Sequence, residues 1–361
     1  MSAARWFAAH LEWGTLRSRP AALWLSRGYE AIATPLLARP VSLPPHAQTI
    51  GIGSAVLGGA GKTLVAIAYA RDLALAGARV AFIAHGYSAR QQAPIVCSGR
   101  ESPRQVGDDT LVAARALHHL DVAVWVGQDR DVTLRCAAAH ADVLVIDGLL
   151  QSRPRKLDRS VLVLDAAHPF GGGACPPAGD LRGSALSFFD LCDEVVLVQD
   201  PLLGAATPAT LPGPIPMPFT RTAWVEVSGL RHQQEVRPLN SVAGRKVGFA
   251  SLLARPDRVL ATMRARGIEP ACTWHGADHR PPGRQDLHVL RKLAHQHMLD
   301  AWLVTTKCVT QFENHDLGAP CLALDVASRL DPTPLPVLDS PPCVPQDSSR
   351  SCPRPCSSSP P

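Results

Sequence analysis

The chain has no Lys/Arg run and no aromatic residues interleaved with basic ones, so it lacks the usual means of holding nucleic acid. Its formal net charge of +5 is mild, and most of its cations are arginine. No C-x-x-C pair occurs among the ten cysteines, which indicates neither a zinc site nor a disulfide framework. Reduced thiols in a cytosol-facing protein are the expectation. No apolar run is long enough to span a bilayer, and the start, where one Arg precedes a segment broken by His10 and Glu12, lacks a signal-peptide pattern. Residues 336–361, with Cys343, Cys352 and Cys356 among Pro and Ser, have little that could pack and read as a disordered tail.

What is present is a globular composition. Of 361 residues 46% are apolar, enough for two domains of ordinary size. The most informative stretch is GIGSAVLGGAGKT, residues 51–63, between an apolar run and LVAIAYARDLALAGA, which has the period of a helix. A glycine-rich turn between strand and helix suits phosphate: its amides can face inward, the helix N-terminus favours an anion, Lys62 supplies a cation and the Thr63 hydroxyl can hold Mg²⁺. The general G-x-x-x-x-G-K-[ST] pattern wants glycine where Val56 stands, so the loop is the variant Val56, Leu57, Gly58, Gly59, Ala60, Gly61, Lys62, Thr63.

Short apolar runs and helical segments alternate over 46–221, predicting an α/β domain with a mostly parallel, P-loop NTPase-like sheet. Loops at the carboxyl ends of such strands make the site. Asp147 closes the run VLVID, where an acid can order Mg²⁺. Asp108 and Asp109 precede a helix, and their plain structural role is to cap it. After a Pro-rich connection, 222–335 reads as a second, smaller α/β domain closing a cleft. Residues 1–45 form a helical segment with three Trp among arginines, suited either to a membrane interface or to packing on the core.

Several blocks in order resemble the tetraacyldisaccharide 4'-kinase family, the lipid A 4'-kinases of Gram-negative bacteria, over about residues 15–325. The family's GN-x-x-x-GG-x-GKTP is Gly53-Ser54 and then Gly58 to Leu64; its S-R-G-Y is Ala84-His85-Gly86-Tyr87; its V-G-D-E-P is Val106 to Thr110. V-V-V-G-x-D-R is seen as Val124 to Arg130, FGGGACPPAGDLRG matches F-G-N-G-x-x-x-P-A-G-P-L-R-E, and Gly276-Ala277-Asp278-His279 resembles the start of F-x-D-H-H.

The resemblance implies ATP-dependent phosphorylation of the 4'-hydroxyl of a lipid-linked glucosamine disaccharide in lipid A biosynthesis. The setting would be the cytoplasmic face of the bacterial inner membrane, with peripheral or monotopic attachment, and no protein partner is evident from the sequence. It implies ATP and Mg²⁺ as cofactors, Lys62 and the loop on the phosphates, and Thr63 and Asp147 on the metal. It further implies Asp108 as the proton acceptor, His279 as its orienting partner and Arg182 as a balance for phosphate charge. Departures cluster near the chemistry: Gly148 replaces the second acid of D-D-G, Leu149 its Gly, Ser152 the His after Gln151, His85 the Arg of S-R-G-Y, and Gly183 the Glu after Arg182. The family's T-T-E-K-D is Thr305-Thr306-Lys307-Cys308-Val309. An impaired relative that binds nucleotide or lipid is one alternative. A P-loop ATPase switch is another, although its leading loop Lys is Leu57 here.

Overall fold

A computed structural model describes residues 10–11, 13–86, 89–203, 219–232, 235–278 and 280–331. Helix α1 (Pro20–Ala33) and strand β1 (Arg39–Val41) precede the sheet's central unit. That unit is β2 (Gln48–Ser54), α2 (Lys62–Leu75) and β3 (Val80–Ile83). Then come β4 (Ile95–Val96), the single turn α3 (Pro103–Val106), α4 (Asp108–Leu117), β5 (Ala123–Val126), α5 (Arg130–Ala138) and β6 (Val143–Asp147). The first half ends with β7 (Ser152–Pro154), β8 (Arg159–Asp165), α6 (Ala185–Leu191) and β9 (Glu194–Gln199).

The second half starts with β10 (Phe219–His232), β11 (Glu235–Arg237), β12 (Val247–Ser251) and α7 (Pro256–Ala265). It closes with β13 (Cys272–His275), α8 (Arg284–His297), β14 (Ala301–Thr305), α9 (Thr306–Phe312) and β15 (Cys321–Asp331). Among the described residues one 13-stranded sheet runs β13-β12-β14-β15-β10-β9-β8-β2-β6-β3-β5-β4, with β11 on β10. Its pairs are parallel except at β4, β11 and the long β10–β15 ribbon. The expected boundary at residue 222 falls inside β10, which pairs with β9 on one side and β15 on the other. Each half still has its own core, one around Phe82 and Val145 and another around Phe249 and Leu303.

β2 is buried along nearly its whole length, which is why QTIGIGS reads as a continuous run and not as an alternation. α2 buries Val65 to Ala70 without a break because the sheet and other elements cover it nearly all round. α1 docks by one face. The Ser26 hydroxyl donates to the Cys175 carbonyl at 2.6 Å and accepts from the Ala178 amide at 3.1 Å, while Trp24, Leu25, Ile32 and Leu36 stay exposed. No described helix is long and apolar enough to cross a membrane.

Candidate active site

The phosphate loop joins β2 to α2, and Gly61, at φ +83°, is the N-cap of α2. Gly59 also has positive φ, +75°, so the two turns that fold the loop back rest on residues without Cβ. Arginines tie off the loop's outer carbonyls. Arg182 donates from Nε to Val56 O at 2.9 Å and from Nη2 to Leu57 O at 3.0 Å, and Arg258 donates to Gly59 O at 3.2 Å. Because a trans peptide points its N–H opposite to its C=O, the amides of Gly58 and Ala60 are aimed away from these arginines. That side is where an anion would sit. Leu57 N donates to Asp180 O at 2.9 Å, and Arg255, which pairs with Asp180 at 2.5 Å, lies across Gly59. Arg182, the residue expected to balance phosphate charge, braces the loop backbone in this structure.

Asp147 ends β6, beside β2 in the sheet, and is 3% exposed. Its Oδ2 accepts from the Thr63 hydroxyl at 2.7 Å, and Oδ1 lies 3.7 Å from Lys62 Nζ. Oδ1 has no hydrogen-bond partner among the described residues. A buried carboxylate oxygen with one lysine out of hydrogen-bond range, next to a hydroxyl on the phosphate loop, fits a hard divalent cation. No group of three or more His, Cys, Asp or Glu able to hold a metal occurs among the described residues.

Two of the departures meet beside Asp147. A Cβ on Gly148 would sit 3.5 Å from His85 Cγ, so the missing acid and the missing arginine face each other. Arg130 donates from Nη2 to His85 Nδ1 at 2.7 Å, which fixes the ring as a neutral acceptor at that nitrogen. Burial, then the charge of Arg130, holds the His85 imidazole down at about 4, from an ordinary 6.5. Arg130 is itself lowered to about 10 by burial and by Arg39.

Asp108 and Asp109 open α4, whose N-cap is Gly107, so neither acid has the capping position. Asp108 is buried, and its Oδ1 accepts from the Asp109 amide at 2.9 Å. Lys307 Nζ lies 3.4 Å from Asp109 Oδ1 and 4.0 Å from Asp278 Oδ1, bringing the second half to the acids of the first. His279 lies outside the described residues. Arg255, Arg258 and Arg130 were not picked out from the sequence. Lys307 was noted only as a departure in the T-T-E-K-D block and Arg130 stood inside another recognisable block, whereas Arg255 and Arg258 reach the site only through tertiary contacts between distant segments.

The family model described as tetraacyldisaccharide-1-P 4'-kinase matches residues 25–336. A tetraacyldisaccharide 4'-kinase of Methylobacterium sp. (strain 4-46) is 33% identical over 304 residues, spanning 82% of this chain and 85% of that protein. One from Anaeromyxobacter dehalogenans (strain 2CP-C) is 35% identical over 277 residues, 72% of this chain and 71% of that protein. Among solved structures, LpxK from Aquifex aeolicus in complex with ATP shares the fold with a TM-score of 0.61 at 19% identity. It covers 86% of this chain and 94% of its own. With relatives this similar over most of its length, the chain belongs to the tetraacyldisaccharide-1-P 4'-kinase family.

Proposed function

We propose that this protein transfers the γ-phosphoryl group of ATP to the 4'-hydroxyl of a tetraacyldisaccharide 1-phosphate, a step of lipid A biosynthesis. The observation that carries the reading is the Thr63–Asp147 hydrogen bond with Lys62 beside it, set on the phosphate loop of a chain in this family. Lys62 and the inward amides bind the β- and γ-phosphates. Asp108 accepts the proton of the sugar hydroxyl as its oxygen bonds to the γ-phosphorus. The bond from that phosphorus to the β–γ bridging oxygen breaks, and ADP leaves. Thr63 and Asp147 would hold Mg²⁺, which supplies charge neutralisation on the transferring group when bound. His279, by its place in the block after Asp278, orients Asp108. A switch ATPase is disfavoured by Leu57 in the place of the lysine such proteins carry.

The test is transfer of labelled γ-phosphate to the disaccharide 1-phosphate by the purified protein with Mg²⁺. The expected result is labelled lipid from the natural chain and a loss of roughly a hundredfold or more in Asp108→Asn. No product from the natural chain, with ATP still bound, would make it a nucleotide-binding relative without turnover. The exposed Trp24, Leu25, Ile32 and Leu36 on and beside α1 support action at a membrane surface. Trp24→Ser with Leu25→Ser should weaken co-sedimentation with lipid vesicles, and unchanged recovery would remove α1 from that role.

A further inference from the structure

Lys307 stands in the first turn of α9, half-buried, at a position where the resembling family writes glutamate. Its ammonium spans the two halves of the molecule. Asp109 belongs to α4 of the first half, and Asp278 to the loop after β13 of the second. The turn that carries Lys307 is firmly held. Thr305 Oγ1 accepts from the Cys308 amide at 3.3 Å, Thr310 Oγ1 donates to Lys307 O at 2.8 Å, and Cys308 Sγ accepts from the Leu252 amide at 3.2 Å. α9 also packs along α4. The cation is therefore delivered to the acids by a fixed element and not by a loose surface chain.

Two carboxylates flank it, and the charge of a third, Asp108, acts on it. Burial would strip the Lys307 proton, but Asp109, then Asp108 and Asp278, outweigh burial and hold the ammonium charged well above its usual range. Burial raises Asp109, Lys307 opposes that rise, and Asp108 and Asp147 add to it. Without a cation in this place, Asp109 and Asp278 would face each other as like charges in a poorly solvated gap, and the gap would open. Asp108 adjoins one of those acids in the chain, and His279 adjoins the other.

We propose that Lys307 is a positioning residue for phosphoryl transfer, its ammonium tying Asp109 to Asp278 so that Asp108 and the loop that carries Asp278 are held in one arrangement across the two halves. The catalytic part rests on the kinase reading above, and the tie itself does not. It gives a role to a lysine that the family's pattern does not call for, and it leaves the phosphate loop untouched.

Lys307→Met keeps the stem and removes the charge, Lys307→Arg keeps the charge, and Lys307→Glu adds a fourth acid. Each is measured for transfer kinetics and for amide hydrogen exchange in the full chain. In Lys307→Met kcat should fall roughly tenfold to a hundredfold while KM for ATP stays within about threefold. Lys307→Arg should recover most of kcat, and Lys307→Glu should be at or below Lys307→Met. Exchange over 276–283 and at the start of α4 should quicken in Lys307→Met and not in Lys307→Arg. Unchanged exchange in Lys307→Met overturns the tie, and quickened exchange with unchanged kcat overturns its role in catalysis. If the natural chain transfers no phosphate while exchange responds as stated, the tie stands and the kinase reading fails.

Discussion

Asp147 and Glu194 are both carboxylates at strand ends, and both are 3% exposed, so burial does not tell them apart. Their partners do. Glu194 opens β9, at the amino end of the parallel strands, and accepts from the Tyr69 hydroxyl at 2.5 Å and from Arg221 Nε at 2.8 Å, with Arg159 at 3.8 Å. Burial and the Glu194 charge hold the Tyr69 hydroxyl protonated, well above its usual range. That cluster ties α2 to β8, β9 and β10, leaving Arg221 Nη1 as its one fully buried side-chain polar atom without a hydrogen-bond partner among the described residues. Asp147 lies at the carboxyl end, where loops build sites, and there a carboxylate oxygen is left over next to a lysine. Equal burial thus leaves a well-partnered carboxylate at one end of the sheet and one with an unpartnered oxygen at the other.

The comparison breaks first at Asp147. Asp147→Asn keeps an acceptor for Thr63 but removes the charge, and should cost transfer roughly a hundredfold to thousandfold. Its urea midpoint should stay close to that of the natural chain, and Mg²⁺ should no longer tighten ATP binding. A large loss of stability with little loss of turnover would make Asp147 a structural acid like Glu194. Arg221→Ala should behave in the opposite way. Removing one partner of a buried ion pair costs about 3–5 kcal/mol, read from the urea transition, while the folded fraction keeps its kcat. A stable Arg221→Ala would mean that Tyr69 and Arg159 suffice for Glu194.

How much of this could be read from the sequence differs between the same two regions. The β2–loop–α2 unit, the strands β3, β5, β6, β8 and β9 and the helices between them follow from apolar runs and helical periods, because local pattern decides them. Asp147 is legible for the same reason, since it ends such a run. β10 and β15 were not singled out. FTRTAWVEVSGLRH alternates polar and apolar residues after a Pro-rich segment, and its buried Arg221 makes sense only once Glu194 is beside it. The brace by Arg182, the arginines from α7 and its approach, and the tie at Lys307 are long-range contacts that no local period encodes. Nor could the sequence pair two departures 63 residues apart, although Gly148 and His85 face each other in space.

That pair supplies the mildest test. His85 is neutral in the folded protein down to about pH 4, because burial and then Arg130 and Arg39 disfavour its charged form more than Asp147 favours it. The unfolded chain binds that proton near the ordinary 6.5. Between pH 6.5 and 4 the unfolded state therefore holds more protons at this residue, so its contribution makes stability fall as pH falls, and it levels off below 4. His85→Asn removes the titration. Its urea midpoint should drop less than that of the natural chain between pH 6.5 and 4.5, and the two should run parallel above pH 7.5. Because His85 is open to solvent on one side, the difference should be well below the effect of Arg221→Ala. Parallel curves through the acid range would mean that His85 titrates like a surface histidine. The hydrogen bond from Arg130 would then not persist in solution, and the side of the site that lost an acid at Gly148 would be looser than the brace around the phosphate loop.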